Sequence, residues 1–361
     1  MLIEAPSQSG IIYVYYRVGI VMGSERHTWG QTKNVTLDDV AREARVSQSA
    51  ASVVLNGAKS GTGVSAERRL RIIEAAERLG YQPNALARSL ITGRTNLIGV
   101  YSGRSILDSR NSFFAALLGG CFEGCRPFRA NTVVHSTGHD QEALLTLVSN
   151  RLLDGLVVQA DDQDPILRLL GEFRVPAVAV ADVVAGLPNV CVDDVAGGML
   201  QAHHLAKLGH RSVLLKTSPG KPNSAVQRSE SFKQTATGLG VRVHERYETF
   251  APQDALDLDD IRLITREADR VTAIVAWSDH LAQRICNKLD LLGLKIPGDV
   301  AVIGFDGFEP PYIPRYRLTT VRAPWAEVGK TAIRLLIELV EGRSAPNLTV
   351  LPVEFVRGET T

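Results

Sequence analysis

The sequence predicts an α/β protein: a body of two doubly wound parallel sheets behind a small all-helical front. Three observations predict it. Two short helical patterns fill residues 35–56, "VTLDDVAREARVSQSAASVVLN", and a third follows at 64–81. From residue 96 onward, short apolar runs alternate with amphipathic helical patterns, as parallel sheets with helices on both faces require. Seven or more such units in a chain of 361 residues suit two lobes better than one sheet.

Composition narrows the function. Hydrophobic content of 45% and charged content of 22% are ordinary for a globular protein. The net charge of +1 means that any nucleic-acid role must sit in a local patch. Residues 33–94 carry ten Lys/Arg against six Asp/Glu, so the front is basic and the body slightly acidic. Four cysteines, Cys121, Cys125, Cys191 and Cys286, are too few for a disulfide framework. They are expected to be buried thiols. His135, His139, His203, His204 and His210 have no carboxylate or thiol spaced to join them, so no metal site is expected. A glycine-rich phosphate loop, a nucleophile elbow and an HExxH pattern are all missing, which argues against catalytic residues and cofactors. The apolar run at 11–22 is too short to span a bilayer, and the first ten residues lack the basic region of a signal peptide. Residues 1–33 are therefore expected to be a poorly ordered extension, with Met22 as an alternative start, and the protein to be cytoplasmic.

Each element has a local reason. Thr36 can cap the first helix, with Asp38 and Asp39 beside the positive end of its dipole and Val40, Ala41 and Ala44 facing inward. Ser47 can cap the second, whose apolar stripe is Ala50, Ala51, Val54 and Leu55. Small alanines let two helices cross closely and steeply, as a helix-turn-helix requires. Gln48, Ser49 and Ser52 are left outward. A glutamine amide can bond adenine bidentately, and a serine can meet either base type. The plain alternative is a helical hairpin with polar tips. After a Gly/Ser-rich loop at 56–63, Ser65 opens a third helix with Ile72, Ile73, Ala76 and Leu79 on one face, closed by Gly80 and Pro83. Residues 84–95 read as a short linker helix ended by Gly93. Strands then follow at "LIGVYS", "NTVVHST", "GLVVQA", "PAVAVAD", "SVLLKT", "AIVAWSD" and "VAVIGFD", with helices such as 113–128 and 195–208 between them. In such folds ligands sit beyond the carboxyl ends of strands, which singles out Gln159, Asp182, Ser278 and Asp306.

The segments "VTLDDVAREARVSQSAASVVLN", "VSAERRLRIIEAAERLGYQPN" and "ALARSL" resemble the headpiece and hinge of the LacI/GalR family of bacterial transcription regulators. The resemblance continues through "LAKLGHRSVLL", "VAVIGFD", "LTTVRAP" and "LPVEFVRG", covering residues 35–358. It implies a helix-turn-helix DNA-binding headpiece at 34–83, a hinge helix at 84–94, and a two-lobed periplasmic-binding-protein-like domain at 95–361 for effector binding and dimerisation. It makes Gln48 and Ser49 the main base readers. Thr36, Ser47, Ser52, Asn56 and Ser65 become DNA contacts, several of them to phosphates. Asn84, Ala87 and Leu90 fall in the hinge helix, where Leu90 would wedge into the minor groove and bend the duplex. Effector contacts would come from Phe113, Gln159, Asp182, Arg228, Ser278, Asp306 and Trp325. Carboxylates and a guanidinium grip hydroxyls through charge-assisted bonds, and a tryptophan stacks on the apolar face of a sugar ring, so a sugar or polyol is expected. The plainer readings are a surface ion pair for Arg228, a cap for Asp306 and a core position for Trp325.

The chain also departs from the family. Val53 stands where an arginine is usual, Ala50 replaces a threonine, and Arg45 replaces the common glycine of the turn. Ser278 replaces a frequent asparagine, and Val183 stands where many relatives carry arginine. The resulting expectation is a homodimeric repressor without enzymatic activity that binds double-stranded, pseudo-palindromic operator DNA under the control of a small effector, with no membrane partner. The alternative is a sugar-binding protein or sugar-metabolising enzyme with an incidental helical front.

Overall fold

The structure, a computed structural model, describes residues 35–56, 63–84, 88–89, 92–103, 111–136, 141–218, 222–248, 255–265, 270–308 and 314–361. The expected N-terminal extension and two hinge residues, Ala87 and Leu90, lie outside the described residues. The chain divides into two compact units, residues 1–92 and 93–361.

The first unit is built from α1 (Leu37–Glu43), α2 (Gln48–Asn56) and α3 (Ala66–Leu79). Thr36 caps α1 through a reciprocal box: the Asp39 amide donates to Thr36 Oγ1, and the Thr36 amide donates to Asp39 Oδ2 at 3.0 Å. The Ala50 amide donates to Ser47 Oγ at 3.2 Å at the start of α2, and Ser65 caps α3. Gly80 closes α3 in the left-handed region, at φ 66°. The core is Val40, Ala41, Ala44, Ala51, Ile72, Ala75 and Ala76. One expectation changes here: Ile73 is 38% exposed, and Ala75 takes its place inside. Ile72, Ala75, Ala76 and Leu79 follow the i, i+3, i+4, i+7 stripe, from which Ile73 is rotated by one residue's turn.

The second unit carries two all-parallel sheets. The first has six strands: β1 (Leu97–Ser102), β2 (Asn131–Ser136), β3 (Gly155–Gln159), β4 (Ala177–Val180), β5 (Asn189–Val192) and β11 (Leu348–Leu351), in the order β2-β1-β3-β4-β5-β11. The second has four: β6 (Ser212–Thr217), β7 (Arg242–Tyr247), β8 (Ala273–Ala276) and β9 (Ala301–Ile303), in the order β7-β6-β8-β9. A two-stranded antiparallel ribbon, β10 (Thr320–Arg322) and β12 (Glu354–Val356), completes the strands of the described residues. The helices are α4 (Ser112–Cys125), α5 (Gln141–Ser149), α6 (Ile166–Phe173), α7 (Asp194–Lys207), α8 (Asn223–Gly238), α9 (Leu258–Thr265), α10 (Asp279–Leu291) and α11 (Trp325–Val340).

The two lobes are not sequential halves. Helix α11 comes from the end of the chain yet packs against α4 and against β3, β4 and β5 of the first sheet. Its Ile333, Leu336 and Ile337 join Val157, Val178 and Val190 in one core. Thr360, the penultimate residue, returns to the second sheet, where its carbonyl accepts from the Val302 amide. The strands missing from the sequence reading, β5, β7, β10, β11 and β12, are short or peripheral. β7, "RVHERY", is a charged edge strand with no buried residue, so no apolar run marks it.

Burial holds one charge pair that the apolar reading of "SVLLKT" did not foresee. Lys216 and Asp260 are both fully buried, and Lys216 Nζ lies 2.7 Å from Asp260 Oδ2 and 3.1 Å from the Tyr247 carbonyl. All four cysteines are free and buried. Burial pushes the Cys121, Cys191 and Cys286 thiols up to about 12, which keeps them protonated and unreactive. Among the described residues no cluster suits a metal ion, and no helix is long and apolar enough to cross a membrane.

Candidate functional site

Two groups of residues have the character of a binding site, one in each unit. In the first unit, α2 carries no charged side chain. Ser47, Gln48 and Ser49 are exposed at its N-terminus, where unpaired amides and the helix dipole favour an anion. Ser47 Oγ and Ser49 Oγ lie 2.9 Å apart. Ser52 and Val53 are half-buried further along the helix. Thr36, Ser65 and Asn84 are exposed, the first two already engaged as caps. Asn56 is placed differently: it is 5% exposed, its amide donates to Ser52 Oγ at 3.5 Å, and its Oδ1 has no partner among the described residues. Arg45 holds the turn between α1 and α2 at φ 54°, in the left-handed region where the sequence departure from glycine falls.

In the second unit, Arg228 lies among polar residues beyond the carboxyl ends of the strands. This residue lies on α8 and is 6% exposed. Its Nε and Nη2 donate to Asp194 Oδ1 at 3.0 and 2.6 Å, and its Nη1 donates to the Trp277 carbonyl at 2.5 Å. The guanidinium lies over the Phe305 ring, 3.2 Å from its centroid. So Arg228 is a buried ion pair rather than a surface one. The approach of α8 to α7 depends on glycine: a Cβ at Gly198 would come within 2.4 Å of the Arg228 carbonyl, and one at Gly197 within 2.5 Å of the Phe305 ring.

Asp306, just past β9, accepts a hydrogen bond from Trp325 Nε1 at 3.0 Å. Trp325 is 4% exposed and meets Phe113 edge-on, with ring centroids 4.7 Å apart. It is thus a core residue and a neighbour of the candidate cluster at once. Asp306 has φ 126°, a strained value for a non-glycine residue, of order 1–3 kcal/mol. Its main chain is held there by the Val321 carbonyl and the Ala323 amide, at 2.8 and 3.0 Å. Asp279 accepts from Thr320 Oγ1 at 2.6 Å and from the Gly307 and Phe308 amides at 2.7 and 3.1 Å.

Electrostatics follow from burial. Burial, and then the Asp279 carboxylate, raise the Asp306 carboxyl well above its ordinary range against the opposing pull of Arg228. Burial also raises Asp279, against its bonds to Thr320 and the two amides. It raises Asp194 despite the charge of Arg228.

The remaining expected residues are less connected. Asp182, past β4, accepts from the Ser224 amide at 2.9 Å, in the first turn of the helix that bears Arg228. Ser278 caps α10 by accepting from the Leu281 amide. Gln159 accepts from Ser102 Oγ at 2.9 Å at the ends of β3 and β1. Phe113, Arg228, Asp306 and Trp325 are thus brought together, Asp182 and Ser278 flank them, and Gln159 bonds instead to Ser102. Sequence reasoning missed Asp194 and Asp279. Asp279 ends "AIVAWSD" as Asp306 ends "VAVIGFD", so the strand-end rule extends to it, whereas Asp194 follows β5, which no apolar run in the reading marked. The network offers acceptors, a neutralised guanidinium and an aromatic wall, a set able to bind hydroxyl-bearing molecules.

Comparison with known proteins agrees with the fold. Residues 36–84 match the profile of bacterial regulatory proteins of the lacI family, and residues 202–361 match the periplasmic binding protein-like domain. The chain is 29% identical over 312 residues to catabolite control protein A of Priestia megaterium, covering 84% of this chain and 92% of that one. It is 28% identical over 320 residues to the transcriptional repressor PurR of Aliivibrio fischeri (strain MJ11), covering 85% and 92%. Among solved structures, the lac repressor dimer bound to operator and the anti-inducer ONPF superposes with a TM-score of 0.75 at 26% identity, covering 90% of this chain and 98% of that one. These relatives are transcription regulators, not enzymes. The chain thus joins a helix-turn-helix domain of the lacI family of bacterial regulatory proteins to a periplasmic binding protein-like domain, and is a DNA-binding transcriptional regulator.

Proposed function

We propose that this regulator is a repressor that binds a pseudo-palindromic operator as a homodimer and is tuned by a sugar or polyol held in its second unit. The observation that carries the effector reading is the convergence of Arg228, Asp306, Trp325 and Phe113 beyond the strand ends. Buried carboxylates accept hydroxyl protons in charge-assisted bonds, and the aromatic pair supplies an apolar surface for a ring's carbon face. Asp182, Ser278 and Gln159 extend the polar lining from neighbouring strand ends. The names of the PurR and lac relatives support repression, and the lac structure supports a dimer on operator. A single headpiece buries too little DNA for tight specific binding, which favours two half-sites. In the free chain Asn56 is buried, so it would have to turn outward to serve as a contact, whereas Gln48 and Ser49 already face solvent.

The test is calorimetric titration of the full chain against a panel of neutral sugars and polyols, with DNA binding followed in parallel. A panel member should bind, and should alter operator affinity. Trp325→Phe, which removes the Nε1 donor from Asp306 and keeps an aromatic ring, should weaken that binding and leave DNA affinity without ligand intact. Full ligand affinity in Trp325→Phe and in Asp182→Asn would place the effector elsewhere.

A further inference from the structure

We propose that Arg45, in the turn of the helix-turn-helix, is a DNA phosphate contact that supplies the cation its recognition helix lacks. The inference rests on the reading of α2 as the helix that faces DNA. Between Thr36 and Asn56, all described, there are only two cations, Arg42 and Arg45, against three acids, Asp38, Asp39 and Glu43. Arg42 is spoken for: its Nη2 lies 2.5 Å from Asp38 Oδ2 and its Nη1 3.3 Å from Asp39 Oδ1. Glu43 is held from α3 by Arg78 at 3.1 Å. Arg45 is exposed, and its guanidinium has no hydrogen-bond or ion-pair partner among the described residues. In a helix-turn-helix with a net negative balance and an uncharged second helix, an unpaired cation beside that helix adds attraction for a polyanion where the helix meets it.

Placement favours the backbone rather than a base. Arg45 stands two residues before Ser47 and three before Gln48, where the chain turns to present the N-terminus of α2. The chain that delivers a recognition helix into the major groove runs beside the phosphates that rim it. The turn itself is rigid, since the Arg45 amide donates to the Arg42 carbonyl at 3.2 Å and the Val46 amide to the Ala41 carbonyl at 3.0 Å. A long cationic side chain on a fixed turn is suited to a phosphate oxygen, which it can meet with two parallel donors. The left-handed backbone is not itself the argument. Arg129, Arg151 and Arg174, in the second unit, adopt the same conformation at φ 54°, 52° and 53°. They provide the control.

The experiment measures binding of the full chain to its preferred duplex, selected from a randomised library, and to a scrambled duplex of equal length, at several salt concentrations. Wild type is compared with Arg45→Gly, Arg45→Lys, Arg174→Gly and Gln48→Ala. Glycine is at ease at φ 54°, so Arg45→Gly should fold at least as well as wild type. It should bind both duplexes about tenfold more weakly at low salt, as expected for loss of a charged hydrogen bond. Its slope of log K against log salt should fall by about 0.9 per headpiece. Arg45→Lys should keep the slope, and Arg174→Gly should bind as wild type. An unchanged slope and affinity in Arg45→Gly overturns the proposal. A loss confined to the preferred duplex overturns it too, by making Arg45 a base reader. If Gln48→Ala flattens the sequence preference while Arg45→Gly does nothing, only the Arg45 assignment fails. If neither variant changes binding, the reading of α2 fails with it.

Discussion

The polar tip of α2 and the network around Arg228 use side chains in opposite ways. At the tip of α2, Ser47, Gln48 and Ser49 are neutral and exposed, placed to meet another molecule. Around Arg228 the candidate residues are charged and almost fully buried, and they already bond to one another: Arg228 to Asp194, Trp325 to Asp306, Thr320 to Asp279. The difference teaches how function and stability separate. The exposed Gln48 can be removed without the fold noticing. A buried guanidinium cannot, because its partner's charge stays behind in a poorly solvated place.

The largest expected effect follows directly. Arg228→Ala leaves Asp194 buried without its cation and should destabilise the second unit by about 3–5 kcal/mol, read by urea denaturation. Loss of effector response in that variant would therefore carry a structural component, which is why Trp325→Phe and Asp182→Asn are the cleaner probes. A loss under about 1 kcal/mol would mean that the pair behaves like an exposed ion bridge and that the contrast with α2 is false.

The same network sets a pH dependence. Asp194, Asp279 and Asp306 all have carboxyls raised above the ordinary 3.8 in the folded state. The folded chain then holds protons that the unfolded chain has released. Their contribution to stability is fully present below about pH 3.8 and declines as pH rises through the folded values. Asp306→Asn keeps an acceptor for Trp325 and cannot ionise, so its stability relative to wild type should grow with pH from the acid side toward neutrality. A difference that stays flat across denaturation curves at successive pH values would show that the Asp306 charge is not what the fold resists.

On α2 the effects should be smaller and should fall on binding alone. Gln48→Ala should cost roughly 1–3 kcal/mol on the preferred operator and flatten the preference at one position per half-site. Its unfolding midpoint should not move. Identical profiles for wild type and variant over a randomised operator library would mean that α2 is not the reader. The smallest effect tests a polar side chain that the first unit uses for its own fold. Thr36→Ala breaks the reciprocal cap with Asp39 and should cost about 1 kcal/mol of headpiece stability by thermal melting. No change there would mean that Asp39 alone suffices to hold the end of α1.

Read alone, the sequence determined whatever depends on neighbours in the chain. Periodicity marked α1, α2 and α3; Thr36, Ser47 and Ser65 announced their starts; and apolar runs marked the central strands β1, β3, β4, β6 and β8, because each of these signals is local and repeats within a few residues. The αL position of Arg45 was visible as a departure from glycine. Strand ends pointed to Asp182 and Asp306 for the same local reason. What lay beyond it was everything that joins distant segments. Edge strand β7 has no apolar run to betray it. Helix α11 reaches back to the first sheet across most of the chain. Lys216 looks out of place in an apolar strand until Asp260, forty-four residues on, is folded against it. The plainer reading of Arg228, a surface ion pair, gives way to a buried one because Asp194, Trp277 and Phe305 close around it. Burial and charge pairing are properties of the assembled core, where three or four segments remove water from one group together, and no single stretch of sequence carries that information.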